Sequence, residues 1–217
     1  MSGPKPATPP EPVVLEGRYV RLEPLSVKHA ADLFEASNVP DAEARFAYLP
    51  DHAPRTQADT EAFIDNVVGK VDPMPFAVID KATGKAGGRQ ALMRIVPEHG
   101  VIEIGSIYWG PSIARTRLAT EALYLFARHI FEDLGYRRFE WKCNNRNEPS
   151  KRAALRFGFT HEGVFRQHMI VKGESRDTAW FSMLDAEWPA RKAGFERWLA
   201  PENFDAKGRQ LAPLTVR

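Results

Sequence analysis

The amino-acid sequence predicts an α/β fold with a mixed sheet, in which strand hairpins precede a β-α-β-α unit. Its first half holds three stretches rich in β-branched and aromatic residues with turn residues between them, which predicts an antiparallel meander over residues 76–80, 89–96 and 101–109. From Leu118 the apolar residues recur with a helical period as far as Leu134. Hairpins followed by alternating helices and strands are typical of a mixed sheet covered by helices.

One strand and two helices are predicted ahead of the meander. Residues 19–23 alternate well enough for a first strand, and Ser26 then caps a helix that extends to about Ala36. Thr56 and Asp59 have the spacing of a capping box, and the apolar residues behind them lie on one side of a helix that stops before Gly69.

The second half completes the β-α-β-α unit. Gly135 stands where the long helix needs a left-handed cap, and Asn147 caps a later helix that ends at Gly158. The remaining predicted elements are a short strand over residues 139–143, a hairpin of strands over 164–171 and 178–184, and a last helix that carries Trp188, Phe195, Trp198 and Leu199.

Chain length and composition fit one folded domain. Of the 217 residues, 43% are hydrophobic and 27% are charged, which is enough apolar material for a core. The five prolines among the first twelve residues disfavour helix and strand, and the last residues lack periodicity. We therefore expect a flexible leader over residues 1–12, a single domain over 13–200 and a C-terminal tail over 201–217.

Charge and cysteine content narrow the class of protein. The formal net charge is only +2, so the chain is not a polycation that holds nucleic acid through phosphates. Residues 137–156 nevertheless hold seven Lys or Arg against two acids, which indicates an anionic partner or an anionic neighbour for that stretch. A single cysteine, Cys143, cannot form an internal disulfide, and no signal peptide or apolar run of about 18 residues is present, so we expect a cytoplasmic protein that spans no membrane.

Residues 107–159 carry the most specific pattern. A strand ends in Tyr108-Trp109-Gly110-Pro111, a short loop leads into the long helix, and Asn147-Glu148-Pro149-Ser150 precedes Arg156-Phe157-Gly158-Phe159. This segment resembles the GNAT superfamily of N-acetyltransferases, in the branch similar to enzymes that acetylate the N-terminal alanine or serine of ribosomal proteins. The resemblance covers roughly residues 15–199 and implies a GNAT-like acyl-CoA N-acyltransferase fold, with a central, mostly antiparallel sheet splayed at the cofactor site.

The resemblance also implies acetyl-CoA as co-substrate, with its pyrophosphate held by main-chain N–H groups at the start of the long helix. The basic stretch 137–156 is expected to help hold the nucleotide phosphates. The first turn of a helix has unpaired donors and about half a positive charge, so an anion there is favoured. The family loop commonly reads Arg-Gly-x-Gly-x-Ala/Gly, and neither glycine is present here. The cofactor-binding residues implied are Ile107, Trp109, Arg115, Thr116, Arg117, Leu118, Ala119, Thr120, Asn147 and Ser150.

Transfer of an acetyl group to an amine needs a base for the ammonium proton and an acid for the departing thiolate. Glu103 is the candidate base, because strand alternation places it on the same side as Ile107 and Trp109. An ordinary Glu has a pKa near 4.3, so its pKa would have to be raised or a water would have to intervene. Ser150 and Tyr108 are the candidate acids, and the sequence does not choose between them.

Several alternatives stay open from the sequence. Cys143 could carry the acyl group, although a lone strand cysteine usually behaves as a small buried hydrophobe. No ligand spacing predicts a metal. The chain could also be a non-catalytic acyl-CoA-binding module. An RNA-binding domain that uses the same basic stretch is disfavoured, because that stretch lacks aromatic residues spaced like a stacking platform. The predicted partners are acetyl-CoA and a primary amine, either a protein N-terminus or a small peptide-like amine, and the protein is expected to be a monomer or a homodimer.

Overall fold

The computed structural model describes residues 5–216 and shows a mixed α/β fold. The strands of the described chain are β1 (Leu15–Glu16), β2 (Val20–Pro24), β3 (Met74–Asp80), β4 (Ala86–Val96), β5 (Val101–Trp109), β6 (Arg138–Asn144), β7 (Thr160–Val171) and β8 (Glu174–Leu184). Its α-helices are α1 (Ala30–Ser37), α2 (Ala42–Phe46), α3 (Gln57–Val67), α4 (Arg117–Arg128), α5 (Glu148–Arg156) and α6 (Trp188–Leu199).

All eight strands form one sheet in the order β1-β2-β3-β4-β5-β6-β8-β7. Every pair of neighbours is antiparallel except β5 and β6, which run parallel and are joined through α4. The predicted meander of β3, β4 and β5 is confirmed, with one bulge between β3 and β4 and two between β4 and β5. A crossover of this kind is what a parallel pair requires, because a short turn cannot reverse direction twice.

Helices cover both faces of the sheet, and the alternation of β3 shows which residues face which layer. Phe76 and Val78 pack into the large core that α4 and α6 cover. Ala77 and Ile79 point the other way, into a smaller core with Leu33 of α1 and the side chains of α3. We call these the α4 face and the α1 face of the sheet.

The helix ends follow local capping chemistry. The Thr56 hydroxyl accepts from the Asp59 N–H at 3.2 Å, so the predicted capping box at the start of α3 is confirmed. Gly135 has the predicted positive φ of 73°. The helix predicted to run to Leu134 instead ends at Arg128 and continues as a single π turn, His129–Asp133, whereas α2 and β1 were not predicted.

Both chain ends lie against the domain in the described residues. Residues 1–4 of the predicted leader lie outside the described chain, but the Ala7 and Thr8 N–H groups donate to Pro97 and Leu134 carbonyls at 2.9 and 2.8 Å. At the other end Val216 is 4% exposed, and its carbonyl accepts from Arg191 of α6. The tail is therefore an arm packed on α6, and no helix of residues 5–216 is long and apolar enough to cross a bilayer.

The side-chain carboxylate of an α4 residue, Glu121, holds the turn between β1 and β2. Glu121 is 4% exposed, and its two oxygens accept from the N–H groups of Arg18, Tyr19 and Val20 at 2.6 to 2.8 Å. A Cβ on Gly17 would come within 2.7 Å of the same carboxyl group. Buried main-chain donors need a partner, so Glu121 couples β2 to the helix that begins at the candidate cofactor site.

We expect Glu121→Gln to lower the free energy of unfolding by about 2 to 4 kcal/mol, because hydrogen bonds to a charged acceptor are worth about 1.5 to 3 kcal/mol and a neutral amide satisfies fewer donors. Urea denaturation measures the change. The control is Glu202→Gln at an exposed position, expected to shift the same quantity by less than about 0.5 kcal/mol. Equal behaviour of the two variants would contradict the role of Glu121.

Candidate active site

The sheet is splayed between β5 and β6, as the resemblance implies for the cofactor site. β5 and β6 pair from Val101 with Arg138 to Ile104 with Trp141, and no further. Beyond that point β5 follows β4 and β6 follows β8. Residues 105–109 and 142–144 therefore face each other across a V-shaped opening without pairing, so the main-chain donors and acceptors along its edges are available to a ligand.

A bulge in β5 changes which side chains share a face. Arg89 of β4 pairs with Tyr108 and Ala91 pairs with Gly105, so Ser106 and Ile107 lie opposite a single β4 residue. Ser106 has a φ of 51°, which is the left-handed region. The expectation that Glu103 shares a side with Ile107 and Trp109 is therefore wrong, because the extra residue shifts the alternation by one. Glu103 lies on the side of Tyr108, the α1 face.

The start of α4 has the geometry of an anion site. Thr116 is the N-cap, and its hydroxyl accepts from the Leu118 N–H at 3.1 Å. Arg115, just before it, adopts a φ of 63° without being glycine, so the loop reaches the left-handed conformation despite lacking the family's glycines. The N–H groups of the first turn have no helical partner, and the helix dipole adds a partial positive charge.

The implied cofactor loop divides into an accessible part and a buried part. Arg115, Thr116, Arg117 and Leu118 are partly or fully exposed, whereas Ala119 and Thr120 are 3% and 0% exposed. The Thr120 hydroxyl accepts from Arg156 at 3.1 Å, inside the helical layer. The Arg117 guanidinium stacks on Tyr19, 4.2 Å from the ring centroid. The side chains of residues 115–118 are therefore accessible to a ligand, whereas those of Ala119 and Thr120 are not, and the predicted cofactor contacts of these two residues are left to their main chain.

On the other side of the opening, Asn147 and Ser150 lie together at the start of α5. The Asn147 side chain accepts from the Ser150 N–H at 3.1 Å, so its predicted role as an N-cap is confirmed. The Ser150 hydroxyl accepts from the Trp141 indole N–H at 3.0 Å. One lone pair of that oxygen is thus used by a donor, so its own O–H is directed to another acceptor, and the Cys143 sulfur is a hydrogen-bonding neighbour of it.

Glu103 lies among buried charges on the α1 face. It is 4% exposed, and its carboxylate lies 3.0 Å from Lys142 Nζ and 2.8 Å from Arg94 Nε. Burial raises the pKa of Glu103, and the two cations oppose that rise. The Lys142 ammonium also contacts Glu140 at 2.6 Å and lies 3.8 Å from the ring centroid of Trp180.

Tyr108 ends at the floor of a cavity on the same face. Its hydroxyl donates to the Ala36 carbonyl of α1 at 2.8 Å, and burial raises its pKa. The cavity encloses about 720 Å³ between α1, α2, α3 and the sheet. Its lining combines aromatic side chains with charged ones, among them Glu43, Phe46, Asp51, Phe63, Arg89 and Tyr108.

The basic stretch 137–156 is not one continuous surface. Arg138 binds Glu162 through both terminal nitrogens, at 2.8 and 2.6 Å. The Lys142 ammonium forms ion pairs with Glu103 and Glu140. The expectation that the whole stretch holds phosphates is wrong for its strand part, because alternate β6 residues point at acids on the α1 face. Arg146 and Arg152, beside and on α5, are exposed.

One of the open alternatives, an acyl-enzyme at Cys143, loses support from this geometry. Cys143 is 6% exposed, and burial raises the pKa of its thiol, which disfavours the thiolate that an acyl carrier needs. Among residues 5–216, no three His, Cys, Asp or Glu side chains converge as metal ligands would.

The family model for the acetyltransferase (GNAT) domain matches residues 20–160. The chain belongs to the GNAT acetyltransferase family. The match includes the opening between β5 and β6, the start of α4 and both polar residues at the start of α5. It ends at the first residue of β7, so the β7–β8 hairpin and α6 lie beyond it.

Relatives of this GNAT chain include proteins of several bacteria. A GCN5-related N-acetyltransferase from Brucella melitensis is 60% identical, with a TM-score of 0.94 and coverage of 96% of this chain and 95% of that one. An uncharacterized N-acetyltransferase, p20, from Bacillus licheniformis is 30% identical over 117 residues, which are 52% of this chain and 63% of that protein. A putative ribosomal-protein-serine acetyltransferase from Vibrio cholerae has the same fold at 22% identity, with a TM-score of 0.69 and coverage of 82% and 99%.

Three residues beside the opening were not identified from the sequence: Trp141, Lys142 and Arg89. Trp141 stands in a strand with aromatic neighbours and is indistinguishable there from core. Lys142 and Arg89 are large charged residues inside strands, and Arg89 follows Gly87 and Gly88. Long charged side chains in predicted buried strands almost always have a partner, which is the signal that could have found both.

The Arg138–Glu162 pair predicts a pH effect on stability. The hydrogen bonds from Arg138 lower the pKa of Glu162 to about 2, well below the ordinary value of a glutamate. A lowered carboxyl pKa stabilises the fold above about pH 4.5, and that stabilisation is lost as the pH falls through about 2. Because the Glu162 side chain is 40% exposed, solvent screens the pair, and we expect Glu162→Gln to cost only about 1 kcal/mol at neutral pH.

Urea unfolding of the wild type and of Glu162→Gln, repeated from about pH 7 downwards, tests this pH dependence. The difference between the two proteins should shrink as the carboxyl group protonates. A difference that stays constant down to about pH 2.5 would show that the charge of Glu162 contributes nothing.

Proposed function

We propose that this GNAT chain transfers an acetyl group from acetyl-CoA to a primary amine by direct attack, without an acyl-enzyme. The observation that carries the proposal is the end of β5–β6 pairing at Ile104 and Trp141, beside the capped start of α4. The opening offers unpaired strand edges to the amides of pantetheine, and the first turn of α4 offers N–H donors to the pyrophosphate. Arg115 adds an exposed positive charge at the same end.

The acceptor amine approaches from the α1 face. The cavity there has an apolar wall from Phe46 and Phe63 and carries carboxylates at Glu43 and Asp51. Such a lining suits an amine that bears an apolar group next to its nitrogen, which describes both an N-terminal residue of a protein and a small peptide-like amine. The acceptor is therefore a primary amine of one of these two kinds.

Proton transfer is assigned to groups on the two sides of the opening. The amine loses a proton and its nitrogen attacks the thioester carbon, the carbon–sulfur bond breaks, and the sulfur needs a proton. Glu103 is the proposed base, acting through water, because burial raises its pKa toward that of an amine. Ser150 is the proposed acid rather than Tyr108, because the Tyr108 hydrogen is already donated to Ala36.

Binding and turnover test the proposal directly. We expect calorimetry to show binding of coenzyme A and a thiol-release assay with acetyl-CoA to show turnover against a panel of N-terminal peptides, small amines and peptide antibiotics. Arg115→Glu should weaken coenzyme A binding about tenfold or more, equivalent to about 1.4 kcal/mol, because it reverses a charge beside the pyrophosphate. Arg197→Glu on α6 makes the same net charge change at an exposed site and should leave affinity within about twofold.

Two results would go against this function. Absence of any affinity for coenzyme A or its thioesters removes the cofactor assignment and the activity with it. Binding without turnover against the whole panel would instead favour the non-catalytic acyl-CoA-binding module.

The two proton-handling groups have separable signatures. Ser150→Ala should lower kcat about 10- to 100-fold with little change in KM for acetyl-CoA, because the main-chain N–H that Asn147 caps is kept. Glu103→Gln should lower kcat/KM and remove one rising limb of its pH profile, since a base works only when deprotonated. Unchanged rates in Glu103→Gln would assign the carboxylate to its ion pairs alone.

A further inference from the structure

Arg89 of β4 is a buried arginine outside the groups assigned so far. It is 5% exposed, and its side chain lies on the α1 face. One terminal nitrogen, Nη1, donates to the Ser106 carbonyl at 2.9 Å and to the Ser106 hydroxyl at 2.6 Å. The other, Nη2, binds the Asp51 carboxylate at 2.5 Å, and the guanidinium stacks on Phe63 with its carbon 4.1 Å from the ring centroid.

The partner of Arg89 is the residue that makes the bulge. Ser106 has a φ of 51°, a conformation that non-glycine residues rarely adopt, and it lies in the stretch where the β4–β5 register shifts. A bulge residue falls out of the strand ladder, so its carbonyl needs another donor. Arg89 supplies that donor and binds the side chain of the same residue, which fixes the strained conformation from the α1 face.

The next residue along β4 holds the bulged segment from the opposite face. Gln90 is fully buried; its amide nitrogen donates to the Ala122 carbonyl of α4 at 3.1 Å, and its amide oxygen accepts from the Trp109 indole at 3.2 Å. Consecutive β4 residues thus clamp the two ends of the bulged segment, Ser106 and Trp109. The clamp lies directly behind the free edge of β5 that faces the opening.

Asp51 extends this arrangement to the wall of the cavity. It lies between α2 and α3, and both Asp51 and Arg89 line the cavity. If the cavity wall at Asp51 moved, the Arg89 side chain would therefore transmit the movement to Ser106. Lysine could not replace arginine here, because a single ammonium cannot present two separate terminal nitrogens to groups on different sides.

We propose that Arg89 is a positioning residue for acetyl transfer: through Ser106 it sets the direction of the main-chain groups of residues 106–109 at the opening, and through Asp51 it ties that direction to the cavity wall. The inference rests on the proposed function, since it assigns the thioester to this edge of β5. Arg89 does not touch the reacting atoms. Its effect is on how the strand edge meets them.

The first test separates positioning from stability by kinetics. Arg89→Lys should lower kcat about 10- to 100-fold while KM for acetyl-CoA changes less than about threefold, because the contacts at the start of α4 are untouched. Asp51→Asn and Ser106→Ala, each of which weakens one contact, should change kcat in the same direction by smaller factors.

Arg191→Lys is the matched control. Arg191 is also largely buried and also donates to one carbonyl, that of Val216, and one carboxylate, that of Glu187, but it lies on α6. It should lower the melting temperature and leave kcat within about twofold. Equal kcat in Arg89→Lys and wild type, or an equal loss in Arg191→Lys, overturns the proposal.

A second measurement does not depend on activity. Hydrogen–deuterium exchange of the peptide covering residues 105–109 should be at least about fivefold faster in Arg89→Lys than in wild type, while peptides of α4 and α6 keep their rates. If Arg89→Lys does not fold, Asp51→Asn and Ser106→Ala are read in its place. Unchanged exchange in residues 105–109 overturns the positioning role. If the wild-type protein shows no turnover, the proposed function fails, and the exchange measurement still decides whether Arg89 orders this segment.

Discussion

β5 and β6 pair over only four residue pairs before they part, and the candidate site depends on where that parting occurs. Had the parallel pairing continued, the edges of residues 105–109 and 142–144 would satisfy each other and leave nothing for a ligand. The strands part because β5 follows β4 through the bulge at Ser106 while β6 stays paired with β8 to Asn144. Each strand keeps its hydrogen bonds to its other neighbour, β4 or β8, so the opening loses only the hydrogen bonds that β5 and β6 would have made to each other.

The opening is lined by different kinds of side chain on the two faces of the sheet. On the α4 face, the rings of Trp109, Trp141 and Phe157 lie 6.1 to 6.4 Å apart between centroids and give that side of the opening an apolar lining. Trp109 meets the other two edge to face, and Trp141 and Phe157 are tilted against each other. On the α1 face, Glu103, Lys142 and Arg89 form buried ion pairs beside a cavity. A buried pair is costly to desolvate and weak evidence for stability, so a cluster of them next to an opening points to a functional face.

Local patterns in the sequence were sufficient for the larger elements and for the caps of the site. The period of α4, the capping box at Thr56 and the N-cap at Asn147 each depend on residues close in the chain. The five residues of α2 are too few to show a period, since short helices form through packing rather than propensity. The bulge at Ser106 carries no local signal, because serine has no preference for positive φ, and it alone reversed the expected side of Glu103.

Side-chain pairs between residues far apart in the chain were the other feature that the sequence could not predict. Arg89 meets Asp51 38 residues away, and Lys142 meets Glu103 across a parallel pair that only the topology creates. The same limit applies to the basic stretch 137–156. Charge density along the chain does not show which cations a sheet will turn toward acids, and β6 turns two of them inward.

The two faces of the sheet also separate the two proposed proton transfers. Trp141 belongs to the α4 face and binds Ser150, whereas the bulge places Glu103 with Tyr108 on the α1 face. The candidate base and acid therefore lie on opposite sides of the sheet, joined only through the opening. An amine that loses its proton on the α1 face can attack a thioester in the opening while the sulfur departs toward Ser150, so neither group must serve both steps. In the proposed reaction this separation supports direct transfer and gives a covalent step at the buried Cys143 no role.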